Sequence, residues 1–274
     1  MSDYRDISEE CRSSYYFLGD PGGVFQHVGS GEMPVWEILD HLPAVLTGFF
    51  TDDMDRVPLP RAFQPMEWIN REGSRETVLY MREGFKADSD SIFSGNLLAV
   101  GKGSVIEPGA LIKPPALIGR DTEIRHAAYI RGGALIGDHC TVGHATELKT
   151  AIFMDHSEAG HFAYVGDSVL GSHVNLGAGT RLANLPFRTL DQKRDNEFPV
   201  FDIRIKGARI RTGKSKFGAI LGDGVETGCN STLAPGILVG PDSWIYPCTF
   251  VKAGFYPAKT IVKSGSRASV DLRR

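Results

Sequence analysis

Three basic side chains recur at a constant spacing and could together bind an anion. Lys113, Arg131 and Lys149 are each 18 residues apart. Like charges that a fold brings close repel one another unless an anion lies between them. Arginine binds phosphate through its planar fork and lysine binds it as a point charge, so the set predicts a phosphate site. Pairing with nearby carboxylates, such as Glu107 or Glu147, or simple solvation would account for the same charges.

A histidine stands in the glycine-rich segment 159–167, AGHFAYVGD. The imidazole of His161 could act as a general base, because histidine exchanges protons near neutral pH. A lone histidine in such a glycine-rich turn is more often a structural residue that only makes hydrogen bonds. Catalysis is favoured by an irregularity, since the repeat described next slips by one residue around His161 and irregularities in a regular scaffold are often functional.

A strict six-residue repeat predicts the elements that would position these side chains. Large apolar residues occupy ten consecutive steps of six: Val100, Ile106, Ile112, Ile118, Ile124, Ile130, Ile136, Val142, Leu148 and Met154. Neither the 3.6-residue period of a helix nor the 2.0-residue period of a strand produces this spacing. It predicts a parallel coil of three short strands per turn, about 18 residues long, with one aliphatic side chain pointing inward on each face.

Glycine follows the inward residue where we expect the coil to turn a corner. These positions are Gly101, Gly119, Gly137 and Gly143. We expect positive φ there, which glycine adopts without steric cost. After the slip the repeat resumes at Val165, and after an interruption it continues to Val251, so the coil is predicted over residues 96–258.

Residues 185–215 interrupt the repeat. The alternating segments 201–205 and 208–211 flank Lys206 and Gly207, which predicts a β-hairpin. We expect this insert to project from the coil as a wall of the site. Residues 1–95 contain no repeat and include one predicted amphipathic helix after Pro34, marked by Trp36, Leu39, Leu42, Leu46 and Phe49. Residues 259–274 are expected to form a short tail.

Composition excludes several classes of protein. The chain has 274 residues, a net charge of −3 and no basic tail, so we expect no nucleic-acid partner. Its N-terminus is polar and no apolar run is long enough to cross a bilayer, so we expect neither a signal peptide nor a membrane partner. The four cysteines form no CxxC pair, which predicts free thiols in a reducing cytoplasm and no metal site.

Residues 129–185, above all GHFAYVGDSVLGSHVNLGAGTRLANL, resemble the acetyltransferase domain of the bifunctional enzyme that forms UDP-N-acetylglucosamine. The insert and GKSKFGAILGDGVETGCN look like the archaeal-type branch of that family. The resemblance covers about residues 98–258. It implies a mainly β fold, a left-handed parallel β-helix with hexapeptide repeat and a small, partly helical N-terminal region. It also implies acetyl-CoA as co-substrate, glucosamine 1-phosphate as the amino-sugar phosphate acceptor, and a homotrimer with sites between subunits.

The resemblance also implies roles for individual residues. It assigns catalysis to His161 as general base and Glu147 as the acid that orients it. It assigns the acceptor to Arg131, Lys149, Tyr164, Asn175 and Lys216, the last from a neighbouring subunit. It assigns the coenzyme to Asn184, Cys229 and Pro247. Cys229 and Pro247 replace small residues of the better-known branch, and Gly132 replaces a proline, so the details of the coenzyme site depart from that branch.

Other interpretations remain at this stage. The bifunctional enzymes carry a GxGTRM-type loop that this sequence lacks, so we expect no pyrophosphorylase activity. A zinc-dependent carbonic anhydrase of the same fold would use His139 and His144, but His126 lies only 13 residues before His139. The acceptor could be another amino sugar or a nucleotide sugar. Finally, the repeat could serve as a non-catalytic regulatory or oligomerisation module.

Overall fold

The computed structural model describes residues 8–18, 33–51 and 57–265, which form mainly β structure. Parts of the predicted N-terminal region and of the predicted tail lie outside the described residues. The N-terminal elements are α1 (Ser13–Tyr16), α2 (Ile38–Phe49), β1 (Phe63–Ile69), β2 (Arg75–Met81), β3 (Phe85–Lys86) and β4 (Ser91–Phe93).

A parallel coil follows, and its strands fall on three faces. The first face holds β5 (Leu98–Val100), β8 (Ala116–Ile118), β11 (Ala134–Ile136), β20 (Ala219–Leu221), β23 (Ile237–Val239) and β26 (Gly254–Tyr256). The second face holds β6 (Val105–Ile106), β9 (Glu123–Ile124), β12 (Thr141–His144), β14 (Glu158–His161), β16 (Asn175–Leu176), β21 (Glu226–Thr227), β24 (Trp244–Ile245) and β27 (Ile261–Val262). The third face holds β7 (Leu111–Lys113), β10 (Tyr129–Arg131), β17 (Arg181–Leu182), β22 (Thr232–Leu233) and β25 (Phe250–Val251). Two longer strands, β13 (Glu147–Phe153) and β15 (Tyr164–Leu170), turn from the third face onto the first.

The inward aliphatic residues of successive turns stack into one continuous core. The predicted positions from Val100 to Leu148 are all buried in it. Small residues such as Ala110, Ala128 and Cys140 are buried in the same core, where the narrow interior leaves no room for larger side chains. The predicted hexapeptide coil is therefore confirmed, while its left-handed sense stays an expectation from the resemblance.

The change of period lies at a different corner from the one predicted. Leu148 pairs with the residue 18 positions before it, whereas Phe153 pairs with the residue 17 positions before it. One residue is therefore missing between them, at the corner occupied by Thr150 with φ 52°. The predicted slip around His161 is wrong, and so is the inward position of Met154. Both Phe153 and Met154 are large and apolar, so their side chains alone do not reveal which one points inward.

The glycines that follow inward residues are required by close packing and not by positive φ. The left-handed conformation falls instead on other corner residues, including Asp121, His139, His156 and His173. A Cβ on Gly101 would lie 2.5 Å from the backbone carbon of Gly119 in the next turn. The expectation of positive φ at these glycines is therefore wrong, because their lack of a side chain lets adjacent turns approach at strand spacing.

The first turn of the coil is closed by antiparallel strands. β2 pairs with β7, β3 with β6 and β4 with β5, all antiparallel. β1 pairs only with β2 on this path and forms the outer strand of a hairpin. These strands occupy the backbone hydrogen-bonding groups that the first parallel turn would otherwise leave as an open sheet edge.

The outer side of the first face is apolar and is covered by the N-terminal helices. The outward residues of this face form a second core: Ala99, Leu117, Leu135, Ile152, Val169, Ile220 and Leu238. A short 3-10 turn and α2 bury Trp36, Leu39, Leu42 and Leu46 against it. The predicted amphipathic helix is confirmed, and it packs along the outside of the coil.

The insert also packs onto the first face. It contains α3 (Leu190–Arg194) and a hairpin of β18 (Asp202–Ile205) and β19 (Ala208–Arg211), as the alternation predicts. Ile203 and Ile205 are buried in the second core. Lys206 pairs with Glu10, and Lys214 pairs with Asp40 of α2. The prediction that the hairpin projects as a wall of the site is wrong, because its apolar side is held by the N-terminal helices.

Three further observations concern the end of the coil, the cysteines and the helices. The last coil strand reaches Val262, beyond the expected boundary at residue 258. All four cysteines are free, as predicted. Within the described ranges, no helix combines the length and apolar character that crossing a membrane requires.

Candidate active site

The corner between the second and third faces, called the second corner here, carries His161. Backbone hydrogen bonds to the turns on either side fix its register: the Phe162 N–H donates to the His144 carbonyl at 2.9 Å, and the Gly179 N–H donates to the His161 carbonyl at 2.9 Å. The same position on successive turns is occupied by His126, His144, His161, Ala178, Cys229 and Pro247. Residues expected to serve the acceptor chemistry and the coenzyme therefore follow one another along one exposed edge.

The histidines of this corner differ in how their rings are held. Nδ1 of His126 lies 2.7 Å from the carbonyl of Pro108, and Nδ1 of His144 lies 3.0 Å from the carbonyl of His126. The two rings stack at 5.5 Å. His161 is exposed, and within the described ranges no hydrogen bond is recorded for its ring, which lies 6.0 Å from the Phe162 ring. Both of its ring nitrogens are available to a ligand, as a general base requires.

Space beside His161 is open. A Cβ on Gly143 would overlap the backbone of Gly160 in the next turn, but a Cβ on Gly160 would meet nothing within 4 Å. Gly160 is not among the positive-φ residues. The fold of the single chain therefore does not require glycine at position 160. The open volume at this chain neighbour of His161 is accessible to a ligand or a second subunit.

The three basic residues stack on the outside of the third face, as their spacing predicts. Arg131 lies directly opposite Lys113 on the neighbouring strand. Each cation has a carboxylate partner within the chain. The three pairs are Lys113 with Glu76 at 2.6 Å, Arg131 with Glu147 at 2.9 Å, and Lys149 with Asp167 at 3.2 Å. The structure thus shows the pairing with carboxylates that the sequence offered as an alternative.

Glu147 is held by Arg131 and not by His161. Its carboxylate accepts the Arg131 hydrogen bond, and this bond raises the pKa of Arg131. Its backbone N–H donates to the Ala163 carbonyl at 2.9 Å, two residues beyond His161. The carboxylate is therefore close to the second corner, but the orienting contact implied by the resemblance is not formed in this structure.

A chain of hydrogen bonds joins Lys149 to three further residues. Lys149 Nζ and Asn184 Nδ2 both donate to Oδ2 of Asp167. The Tyr164 hydroxyl donates to Asn184 Oδ1 at 3.2 Å. Burial raises the pKa of Tyr164, so this hydroxyl stays protonated and acts as a donor at neutral pH. Residues expected to touch phosphate, sugar and thioester are thus physically connected.

The remaining acceptor residues lie apart from this chain of bonds. Asn175 is exposed on the second face, opposite Glu158 and Glu226 on the adjacent strands. Lys216 is exposed at the end of the insert, with its Nζ 5.7 Å from the Phe198 ring. Neither contacts the third-face cations in the single chain, so any joint action requires a ligand or another subunit.

Two of the three expected coenzyme positions are adjacent and exposed. The Cys248 N–H donates to the Cys229 carbonyl at 2.9 Å, and Pro247 precedes Cys248. Cys229 and Pro247 are both exposed. Asn184, the third expected position, is buried beside Tyr164.

The histidines of the carbonic-anhydrase alternative do not converge. His139 lies on the corner between the first and second faces, called the first corner here, where its ring stacks on that of His156 at 4.8 Å. His126 and His144 lie on the second corner. The described part of the chain contains no group of three side chains placed to share a metal ion.

Two site features escaped the sequence interpretation. Asp167, although part of the quoted motif, was assigned no role, yet it is the acceptor for both Lys149 and Asn184. The sequence signal for Asp167 was a shortened corner. Thr150 is the only residue between the third-face and first-face parts of β13, and Asp167 occupies the same place in β15. The second feature is Gly160. Nothing in the sequence distinguishes it from the glycines that close packing requires.

The fold and these residues define a hexapeptide-repeat solenoid with an exposed histidine corner. A family model described as GMPPB C-terminal domain matches residues 112–239. The chain is 34% identical over 174 residues to a bifunctional sugar-1-phosphate nucleotidylyltransferase/acetyltransferase of Sulfurisphaera tokodaii, covering 57% of this chain and 40% of that protein. It is 41% identical over 118 residues to the bifunctional protein GlmU of Methanococcus vannielii, covering 43% of this chain and 26% of that protein.

These matches show that the repeat region is homologous to proteins of the bifunctional GlmU type, as the resemblance predicts. The chain spans less than half the length of these relatives. Among solved structures it is similar to a mutant of AntD, an N-acyltransferase from Bacillus cereus in complex with dTDP and coenzyme A. That likeness has a TM-score of 0.33 and 17% identity, covering 66% of this chain and 86% of the other.

Proposed function

We propose that this protein is an acetyl-CoA-dependent N-acetyltransferase that acts on an amino-sugar phosphate, with glucosamine 1-phosphate as the acceptor. The observation that carries the proposal is the state of His161. His161 is exposed and follows Gly160, where the surface is open, while His126 and His144 on the same corner have a ring nitrogen held by a backbone carbonyl. Homology to proteins named as acetyltransferases supplies the reaction class.

The acceptor is bound on the third face. Arg131 and Lys149 leave their carboxylate partners and hold the sugar phosphate, which offers a stronger acceptor with more oxygens. Tyr164 and Asn175 align the sugar ring. Lys216 reaches the phosphate from a neighbouring subunit, because in its own chain it lies beside Phe198.

The donor lies along the second corner. Asn184 is close to the thioester, and the exposed positions Cys229 and Pro247 contact the rest of acetyl-CoA. Successive turns are spaced at about 4.8 Å, so this edge accommodates an extended ligand. Its path begins next to His161, which places the thioester beside the general base.

In the reaction, the sugar ammonium first loses one proton to solvent. His161 then accepts a second proton from the neutral amine as its nitrogen attacks the thioester carbonyl. The new C–N bond forms, the C–S bond breaks, and the imidazolium returns the proton to the leaving thiolate. General-base assistance of this kind contributes about 10²–10⁴-fold to the rate. Release of Arg131 to the phosphate frees Glu147, which then orients the His161 ring.

The active unit is a cytoplasmic homotrimer with sites between subunits. Support comes from the distribution of exposed apolar side chains. The first face is covered by the chain's own helices, whereas Phe162, Trp244, Phe250 and Ile261 are more than half exposed on the second and third faces and the second corner. Burial of such side chains against a second subunit is favourable, and Lys216 requires a neighbour to reach the phosphate.

The test is an acetyl-CoA consumption assay on a panel of amino sugars, their 1-phosphates and nucleotide sugars. We expect turnover with glucosamine 1-phosphate and a loss of about 10²–10⁴-fold in kcat for His161→Asn. His156→Asn is the matched control, because His156 is exposed on the first corner and asparagine tolerates its positive φ of 61°. Near-complete turnover in folded His161→Asn would refute the role of His161. Turnover confined to another member of the panel would reassign the acceptor.

A second candidate is a non-catalytic oligomerisation module. The observation in its favour is that Lys113, Arg131 and Lys149 are each neutralised by a carboxylate of the same chain. Absence of turnover on the whole panel, together with a stable oligomer in solution, would select this candidate.

A further inference from the structure

Asp167 is buried in the site and is held at both its backbone and its side chain. Its side chain is 11% exposed, and its backbone is left-handed with φ 44°. Its carbonyl accepts a hydrogen bond from the Gly218 N–H at 2.8 Å, which ties it to the strand that returns from the insert. A carboxylate fixed at both backbone and side chain can hold its partners in one geometry.

The bonds to Asp167 determine how Asn184 is oriented. A carboxylate only accepts hydrogen bonds, so the Asn184 amide nitrogen must face Asp167 and the amide oxygen must face away. That oxygen accepts the Tyr164 hydroxyl at 3.2 Å. Lys149 donates to the same Asp167 oxygen at 3.2 Å. One carboxylate oxygen therefore sets the positions of Lys149 and Asn184 directly, and that of Tyr164 through Asn184.

Gly166 leaves the room that this arrangement needs. It occupies the position at which Lys149 stands one turn earlier. A Cβ there would lie 2.7 Å from the Tyr164 hydroxyl and 2.8 Å from Asn184 Nδ2. The two side chains cross the face in the space that a residue other than glycine would fill, so the connection is specified by the backbone as well as by the charges.

We propose that Asp167 is a positioning residue that couples acceptor binding to coenzyme binding. The inference rests on the proposed function, in which Lys149 and Tyr164 touch the sugar phosphate and Asn184 touches the thioester end of the donor. When the phosphate draws Lys149 away, the Asp167 carboxylate retains Asn184 as its remaining donor and holds that amide more tightly. The acceptor thus prepares Asn184 for the coenzyme, and linkage requires the coenzyme to favour the acceptor equally.

The experiment is calorimetric binding of coenzyme A to the full chain, with and without saturating glucosamine 1-phosphate. We expect the sugar phosphate to lower the Kd for coenzyme A at least about fivefold in the wild type, the lower end of measured allosteric couplings. In Asp167→Asn, which keeps the shape and the left-handed preference, the ratio of the two Kd values falls below about twofold. Asp155→Asn, at an aspartate that accepts the Asp138 N–H on the first corner, keeps the wild-type ratio.

A second variant keeps the test decisive if Asp167→Asn does not fold. Gly166→Ala leaves every charged group in place but displaces Tyr164 and Asn184, and it too should reduce the ratio below twofold. An unchanged ratio in either folded variant, or a wild-type ratio near one with both ligands bound, overturns the coupling and leaves the proposed function standing. Failure of the wild type to bind either ligand overturns the proposed function itself.

Discussion

Two glycines at equivalent positions of successive turns should respond oppositely to the same substitution. In Gly143→Ala the new Cβ would approach the Gly160 carbonyl well inside 3.0 Å, the limit that real Cβ contacts respect. Backbone on both sides leaves no flexible side chain to move, so the turns must separate. Overpacking of this kind costs about 1–3 kcal/mol, and we expect a loss near 3 kcal/mol in the free energy of unfolding.

Gly160→Ala is the matched variant. Its Cβ meets nothing within 4 Å and its φ is not positive. Removing glycine should stabilise the folded state by about 0.4–1 kcal/mol, because the unfolded chain loses conformational freedom. Urea denaturation followed by circular dichroism measures both values. Equal losses in the two variants, or no loss in Gly143→Ala, would refute the described contact between these turns.

The same pair separates stability from activity. The methyl group of Gly160→Ala fills the volume beside His161, so kcat/KM should fall although the fold is intact. If the acetyltransferase assay shows unchanged kcat/KM, the open volume at Gly160 is not used by the acceptor or the donor.

Three further predictions concern other parts of the chain. Cys229 and Cys248 are exposed and should react with a thiol reagent in the native protein, whereas Cys140, whose pKa burial raises to about 12, should react only after unfolding. The hydrogen bond from Arg120 lowers the pKa of Asp90 from 3.8 to about 2. Because the pair is exposed, Asp90→Asn should cost at most about 1 kcal/mol, a difference that is full above pH 3.8 and vanishes as pH falls through about 2. Ile205→Ala should cost about 2–5 kcal/mol and expose the hairpin to proteolysis.

Each has a measurement that decides it. Mass spectrometry after labelling identifies the modified cysteines, and early labelling of Cys140 would contradict its burial. Thermal or urea denaturation of the wild type and Asp90→Asn across acidic pH tests the second prediction. If the difference in stability persists below the folded-state pKa of Asp90, the ion pair is not its cause. For Ile205→Ala, unchanged stability and protease resistance would mean that the hairpin is not held against the first face.

The sequence period predicts the coil because the number of residues per face sets the spacing of the inward side chains. Lys113, Arg131 and Lys149 share a position in that period, so their stacking follows directly. The sequence does not predict which of several chemically similar partners a charged side chain will contact. From the sequence, Glu147 could pair with Arg131 or orient His161, and only the folded geometry gives its carboxylate to Arg131.

The docking of the hairpin shows a second limit. Alternating residues around Ile203 predict two strands and one apolar side, but they do not say which surface covers that side. The covering surface comes from α2 and the first face, which are distant in sequence and carry their own apolar patterns. The sequence predicts the apolar side of the hairpin and that of α2 separately. Only the folded structure shows that the two pack together.

The insert also changes how the coil folds. Val165 pairs with a residue 17 positions later, whereas Leu170 pairs with one 51 positions later. Closing a loop three times longer costs about 1 kcal/mol of additional chain entropy. Docking of Ile203 and Ile205, each burial contributing about 1.5–3 kcal/mol, offsets this cost. A simple solenoid gains stability from contacts between neighbouring turns alone. Here the C-terminal turns gain it also from helices at the opposite end of the sequence, so the molecule should unfold as one cooperative unit and not fray turn by turn.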